Sequence, residues 1–197
     1  MKKFLFLSLA LILLLTSVAS AEKNPVRIAR LPIIFKSTVP DQNTCAELET
    51  KLERATHIPM NKTLQVAEYL PAEDTTKALD EIWQDMHSKN KKAHLKDAMR
   101  PLAEKINADI IVCPILLSYR QYVDGFSGFD ETYIYSYAQA ELIVYDRRTD
   151  DLIDKKTSQM YRDAISIIGT ADYLAKICFD KLIDATKLHQ LIMAIGK

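Results

Sequence analysis

A period of two along residues 132–145 constrains the fold of this chain more than any other feature. The odd-numbered positions carry aromatic or polar side chains: Tyr133, Tyr135, Tyr137, Gln139 and Glu141. The even-numbered positions carry small or apolar side chains: Ile134, Ser136, Ala138, Ala140, Leu142 and Val144. Because successive side chains of a strand point to opposite faces, this alternation predicts a long strand with one buried face. A turn over residues 146–151 then predicts a hairpin with Leu152–Ala164.

The segments around this hairpin predict strands alternating with helices. The other strands are predicted at Val26–Phe35 (with Pro32 inside it), Thr63–Leu70 and Asp109–Val123. Helices are predicted at Thr44–Thr56 (starting with a Thr44/Glu47 capping box), Thr75–His87, Ala93–Ile106 (kinked or divided by Pro101) and Thr170–Ala194. The predicted order is β-α-β-α-α-β-β-β-α. It indicates an α/β (mixed α+β) fold, in which a mixed sheet with a long C-terminal meander carries packed helices.

The N-terminal residues predict export. Lys2 and Lys3 precede an almost wholly apolar run, Phe4–Leu15, and small residues then fit a cleavage site between Ala21 and Glu22. The apolar run is shorter than the roughly 20 residues that span a bilayer. This pattern is typical of a cleaved bacterial signal peptide.

Residues 1–21 are therefore predicted to be that signal peptide, and residues 22–197 a single exported α/β domain, periplasmic or secreted. No later apolar run is long enough for a transmembrane helix, and peripheral membrane contact stays open. The chain has 26 basic and 26 acidic residues, and the predicted signal removes two of the basic ones. A nucleic-acid-binding protein needs a basic face, so this balance argues against nucleic acid as a partner.

No residue pattern commits the chain to a chemistry. Its histidines (His57, His87, His94 and His189) do not have the spacings of zinc sites, and its four glycines form no phosphate-binding loop. The string G-x-S-x-G of serine hydrolases is absent as well. We therefore expect no enzymatic activity, no metal and no cofactor. An exported hydrolase with a cleft near residues 125–131 is the alternative.

The three cysteines, Cys45, Cys113 and Cys178, each stand among apolar neighbours. So few cysteines exclude a disulfide-dense scaffold, and we expect each of them to be a small buried side chain. A bridge between Cys113 and Cys178 is left open, because the last predicted helix could pack over the strand that carries Cys113.

Aromatic residues around the predicted hairpin form the candidate partner-binding surface. They are Tyr119, Tyr122, Phe126, Phe129, Tyr133, Tyr135 and Tyr137. Tyrosine combines a large apolar area with a polar tip, which suits contacts with another protein. Tyrosines also cover ordinary sheet faces beneath helices. Deep burial of the three strand tyrosines, at 133, 135 and 137, would exclude the partner-binding role.

Three stretches of the chain resemble parts of known envelope proteins. They are Val26–Ile33, Leu95–Val112, and Ala140–Asp146 followed by Thr149 and Leu152-Ile153. These stretches are similar to the opening strand, the helix-turn-strand unit and the hairpin of one exported α/β domain. That domain is shared by the TolB N-terminal domain, the curli secretion protein CsgG and related envelope lipoproteins. Asp150 stands where the hairpin usually has glycine, and the lipidated cysteine of CsgG-like proteins is absent, since the first cysteine is Cys45.

The resemblance implies a non-catalytic envelope protein that acts as a protein-interaction or assembly module. Its expected partner is another envelope protein or a second copy of the chain. A self-assembling component associated with secretion or with a pore is the alternative that the same resemblance implies.

Overall fold

A mixed β-sheet organises the part of the chain that the computed structural model describes, which comprises residues 24–89, 92–125 and 132–195. Its strands are β1 (Val26–Arg30), β2 (Ile34–Phe35), β3 (Ala67–Tyr69), β4 (Ile110–Gly125), β5 (Thr132–Asp146) and β6 (Asp151–Ala164). They lie in the order β3-β1-β4-β5-β6, and β2 also pairs with β4. β1 is parallel to β3 and β4, whereas β4, β5 and β6 form an antiparallel meander. The predicted mixed sheet with a long C-terminal meander is confirmed.

Helices cover both sides of this sheet. They are α1 (Gln42–Thr56), α2 (Asn61–Leu64), α3 (Ala72–Lys89), α4 (Met99–Lys105), α5 (Ala171–Ala185) and α6 (Leu188–Met193), with single 3-10 turns at Leu95–Ala98 and Ile167–Gly169. α1, α5 and α6 bury apolar side chains such as Leu48 and Phe179 on one side. α3 and α4 bury Leu79 and Leu102 on the other. In the described part of the chain, no helix has the length and apolarity needed to cross a membrane.

Two predicted strands are shorter in the structure. Pro32 divides the first one, because proline has no amide to donate to a ladder, and residues 31–33 separate β1 from β2. In the segment predicted as a strand at Thr63–Leu70, the short helix α2 comes first. The left-handed backbone of Gln65 (φ 48°) ends that helix, and only the residues of β3 join the sheet.

The predicted start of the first helix is wrong by two residues. α1 begins at Gln42, because the carboxylate of Asp41 caps it before the Thr44 capping box is reached. Asp41 Oδ1 accepts hydrogen bonds from the backbone N–H groups of Asn43 (2.8 Å) and Thr44 (3.1 Å). Aspartate is among the strongest N-cap residues, so the earlier start satisfies two free amides of the first turn.

The predicted long C-terminal helix is two helices in the structure. α5 ends at Ala185, and the left-handed backbone of Lys187 (φ 52°) separates it from α6. Pro101 lies in the first turn of α4, after the 3-10 turn, where a missing amide costs no helical hydrogen bond.

The turn between β5 and β6 explains why aspartate occupies a position that suits glycine. Asp150 has a left-handed backbone (φ 58°), which Asp and Asn adopt more readily than other side chains. Its carboxylate accepts a hydrogen bond from the Tyr145 hydroxyl (2.8 Å) and pairs with Arg100 of α4. The carboxylate thus links the turn to the helical layer, which a glycine could not do.

The cysteines are all free thiols, and no bridge joins Cys113 to Cys178. Cys113 belongs to the apolar cluster under α3 and α4, whereas Cys178 belongs to the cluster on the opposite side of the sheet. Burial raises the pKa of Cys113 to about 12 and that of Cys178 to about 11. Cys45 is only half-buried, contrary to the prediction, because Thr44 and Leu48 form the inward face of α1.

Candidate interaction surface

A β-bulge in β4 determines which side chains of its second half point to which side of the sheet. The register between β4 and β5 shifts just after Leu116, so β4 contains one extra residue there. Beyond the bulge, Tyr119 lies opposite Ala138, and Tyr122 lies opposite Tyr135. Ala138 faces the α5 side of the sheet, so the two predicted site residues of β4 point to opposite sides.

Tyr119 takes part in a network that joins β4 to two helices. Its hydroxyl donates to Oδ1 of Asp172 at the start of α5, and the same oxygen accepts a hydrogen bond from Thr44 Oγ1 of α1 (2.8 Å). Burial, and next the hydrogen bond to Asp172, raises the pKa of Tyr119, so the hydroxyl keeps its proton. Tyr119 therefore contacts residues of this chain and lies apart from the other predicted tyrosines.

Tyr122, Tyr133, Tyr135 and Tyr137 lie together on the other side of the sheet, and we name this set the tyrosine face. Tyr122 is 54% exposed and Tyr133 is 42% exposed, while the other two are half-buried. The rings of Tyr122 and Tyr135 stack, with centroids 4.7 Å apart and planes 21° apart. The deep burial that would exclude a partner-binding role is not observed for any of the three strand tyrosines.

The tyrosine face is flanked by side chains of β4 and β6 that sequence reasoning missed. Met160 is 64% exposed, and its sulfur accepts a hydrogen bond from the Tyr135 hydroxyl (3.5 Å). Arg120 and Arg162 are exposed beside Tyr137 and Tyr135, and neither makes an ion pair with a residue that the structure describes. The pairing of β5 with β4 and β6 brings these side chains together. That pairing cannot be predicted residue by residue from the sequence alone.

The helical layer does not extend over the tyrosine face. The apolar cluster beneath α3 and α4 includes Ile143 and Tyr145 of β5, but none of the tyrosine-face residues. Along this face of β5, side chains therefore pass from buried at Tyr145 to exposed at Tyr133. Two residues of the predicted surface, Phe126 and Phe129, lie outside the described residues. The predicted cleavage site at Ala21 and Glu22 lies outside them as well.

An exposed apolar loop follows β6 and packs against Tyr161 on the α5 side of the sheet, away from the tyrosine face. Ile165, Ile167 and Ile168 are 60%, 83% and 55% exposed. The 3-10 turn here is held by the Tyr161 ring, which lies so close to Gly169 that a Cβ there would come within 2.3 Å of it. The run Ile-Ser-Ile-Ile before the Thr170 helix cap is the sequence feature that could have revealed this loop.

A polar cavity lies on the tyrosine-face side of the sheet, between the tyrosine face and the helical layer. It has a volume of about 170 Å³, and Glu141, Asp154 and Lys156 are among its lining residues. Glu141 is only 6% exposed, and Lys156 Nζ lies 3.3 Å from its Oε1. Burial, and next the hydrogen bond with Asp154, raises the pKa of Glu141. In the described residues, no three His, Cys, Asp or Glu side chains are grouped to hold a metal ion.

Replacing Glu141 with glutamine should make the protein more stable than the wild type as the pH rises. The folded state raises the pKa of Glu141, so folding favours its protonated form. The wild type therefore has this stabilisation at low pH and loses it as the pH rises through the folded pKa. Urea unfolding of both proteins between pH 4 and pH 8 measures the difference, and Glu104→Gln on an exposed position of α4 is the control. A variant less stable than the wild type at pH 8 would contradict the expectation.

No protein-family model and no curated protein matches this chain. The hypothetical protein CT253 of Chlamydia trachomatis is similar in structure, with a TM-score of 0.47, 11% identity, and coverage of 86% of this chain and 99% of that one. A PelC dodecamer subunit from Paraburkholderia phytofirmans gives a TM-score of 0.39 at 15% identity, over 83% of this chain and 88% of that one. The lipoprotein GNA1162 of Neisseria meningitidis gives 0.33 at 17% identity, over 81% and 99%. With TM-scores this low, these similarities identify neither a family nor a partner.

Proposed function

We propose that this chain is an exported, non-catalytic protein of the cell envelope that binds another envelope protein through its tyrosine face. We also propose that its domain is of the TolB N-terminal and CsgG-like type that its sequence resembles. The observation that carries the binding role is the part of the β4–β5–β6 sheet that no described helix covers, where the exposed Tyr122 stacks on the half-buried Tyr135 beside Met160 and two arginines. The sequence of the first 21 residues supports export.

The composition of this surface favours a protein as the partner. Tyrosine, methionine and arginine are enriched at the centres of protein interfaces, and tyrosine and arginine are enriched among the residues that dominate binding energy. Stacking of Tyr122 on Tyr135 and the hydrogen bond from Tyr135 to Met160 restrain these side chains before any partner arrives. Less conformational entropy is then lost on binding. Arg120 and Arg162 supply positive charge that suits carboxylates on the partner.

Self-association is the second candidate, and the edge strand β6 favours it. β6 extends over 14 residues and pairs with β5 without a register shift, and in the described chain it is an outer strand of the sheet. Strand edges of this length pair readily with another strand, and proline or a bulge commonly protects them. β6 contains neither. Two copies pairing through β6 would form one continuous sheet.

Site-specific photo-crosslinking in the producing cells tests both candidates. A benzophenone amino acid at position 122 should give one discrete adduct, because this side chain lies at the centre of the proposed contact. The same amino acid at position 173, an exposed tyrosine of α5, is the matched control and should give none. Arg162→Glu should remove the adduct by reversing a charge at the surface without touching the core.

The mass of the adduct distinguishes the partners. If the adduct has twice the mass of the chain and light scattering shows a dimer or larger species, the partner is a second copy of this chain and not another protein. Absence of an adduct from position 122, or an adduct that Arg162→Glu leaves unchanged, would sink the proposed role of the tyrosine face.

A further inference from the structure

An apolar cleft lies beside the helix α3, on the side of the sheet opposite α5. Its volume is about 330 Å³, within the range of small-molecule sites. Its lining is mainly apolar and includes Leu31, Ile33, Ile34, Leu79, Trp83 and Leu95. These residues come from the β1–β2 connection, from α3 and from the 3-10 turn before α4, so the fold and not a local motif creates the cleft.

The topology of the sheet favours a ligand at this place. The cleft opens beyond the carboxyl end of β1, where the chain leaves the sheet at Pro32. The helix after β1 packs on one side of the sheet, and the helix after its neighbour β3 packs on the other. Ligands of open α/β sheets bind outside the carboxyl ends of strands at such a switch point.

Positive charge lies next to the apolar cleft. Lys36 and Leu95 line both this cleft and the polar cavity of about 170 Å³ described above, so the two adjoin. The polar cavity is lined by three lysines and one histidine against two carboxyl groups: Lys36, Lys96, Lys156, His94, Glu141 and Asp154.

Lys36 is the cation that remains available for a ligand. Lys156 pairs with Glu141 at 3.3 Å and Lys96 with Asp154 at 3.9 Å, whereas Lys36 makes no ion pair with a described residue. Asp80 also lines the apolar cleft, on an exposed position of α3.

We propose that the two cavities together bind a fatty acid, with its alkyl chain in the apolar cleft against Leu79 and Trp83 and its carboxylate at Lys36. The cleft has the volume of about eleven water molecules at roughly 30 Å³ each. A methylene group has about the size of a water molecule, so the cleft holds a chain of about ten carbons. Lys36, the lysine of this lining that makes no ion pair with a described residue, selects an anionic head group. This inference does not depend on the tyrosine face or on its partner.

Trp83 gives a direct readout, because it is the single tryptophan of the chain and lines the cleft. Titration of the purified chain with decanoate should change the tryptophan emission to saturation. Decanol should bind more weakly than decanoate, and decyltrimethylammonium more weakly still. Equal responses to the anionic and cationic probes, or a response that never saturates, would overturn the proposal.

Variants test each half of the site. Lys36→Gln should raise the Kd for decanoate about tenfold, while Asp80→Asn should leave it unchanged or lower it. Lys181→Gln, on an exposed position of α5 across the sheet, is the matched control and should have no effect. Thr76→Phe should abolish binding by filling the cleft with a ring from its half-buried rim.

Two results would contradict the inference. If Lys36→Gln and the wild type bound decanoate with equal Kd, Lys36 would not bind the carboxylate, and the proposed anionic head-group site would be wrong. Vesicles of phosphatidylglycerol that change the Trp83 emission when decanoate does not would show that the cleft contacts membrane lipid and not a free fatty acid.

Discussion

Replacing Phe179 with alanine is expected to lower the free energy of unfolding by about 3–5 kcal/mol. Phe179 is fully buried on the inner face of α5, and it ranks among the largest such side chains of the described chain. Its cluster also includes Ala138 and Ala140 of β5, which have small side chains. Because alanines cannot extend into the space that the ring vacates, truncation leaves a cavity between helix and sheet. Equilibrium unfolding in urea measures the loss.

Two control variants separate the effect of packing from the effect on helix formation. One changes the same position, and the other changes a different position of the same helix. Phe179→Leu keeps most of the volume and should cost about 1–2 kcal/mol. Tyr173→Ala, on the partly exposed side of α5 (39% exposed), should cost less than about 1 kcal/mol. A loss below about 1.5 kcal/mol for Phe179→Ala would mean that the neighbouring side chains close the cavity, and that α5 is not held by this contact.

Local patterns predicted the central part of the fold. The alternation along β5 was enough to predict both its length and its two faces, because a strand has a fixed period of two. Tyr133, Tyr135 and Tyr137 lie on the face that the pattern indicated. Element ends were predicted less well, since competing caps such as Asp41 and Thr44 lie within three residues of each other.

The candidate surface depends on features that have no local pattern. The bulge after Leu116 contains neither glycine nor proline, yet it places Tyr122 beside Tyr135 and turns Tyr119 toward α5. The apolar cleft joins segments that are distant in the sequence, from the 31–36 region to Trp83 and Leu95. Such juxtapositions follow from tertiary packing, so periodicity and composition cannot reveal them.

Replacing Asp109 with alanine is expected to lower the free energy of unfolding by about 2–3 kcal/mol. Asp109 directly precedes β4, and its carboxylate joins parts of the chain that are far apart in sequence. Its Oδ2 accepts a hydrogen bond from the backbone N–H of Arg27 in β1 (2.9 Å), and its Oδ1 pairs with the guanidinium of Arg147 after β5 (2.9 Å). Alanine leaves the Arg27 amide and the Arg147 guanidinium without these acceptors, and hydrogen bonds to charged groups are the stronger class.

Asp109→Asn distinguishes the two contacts, because an amide oxygen can still accept from Arg27 while the ion pair with Arg147 is lost. It should cost about 1 kcal/mol, which is the usual range of a partly exposed ion pair. A double-mutant cycle with Arg147→Ala should give a coupling of about that size. If Asp109→Asn cost as much as Asp109→Ala, the ion pair with Arg147, and not the hydrogen bond from Arg27, would account for the stabilisation by Asp109. If neither variant lost stability, the parallel β1–β4 ladder and the packing of Ile110 and Ile111 would hold this end of the sheet without Asp109.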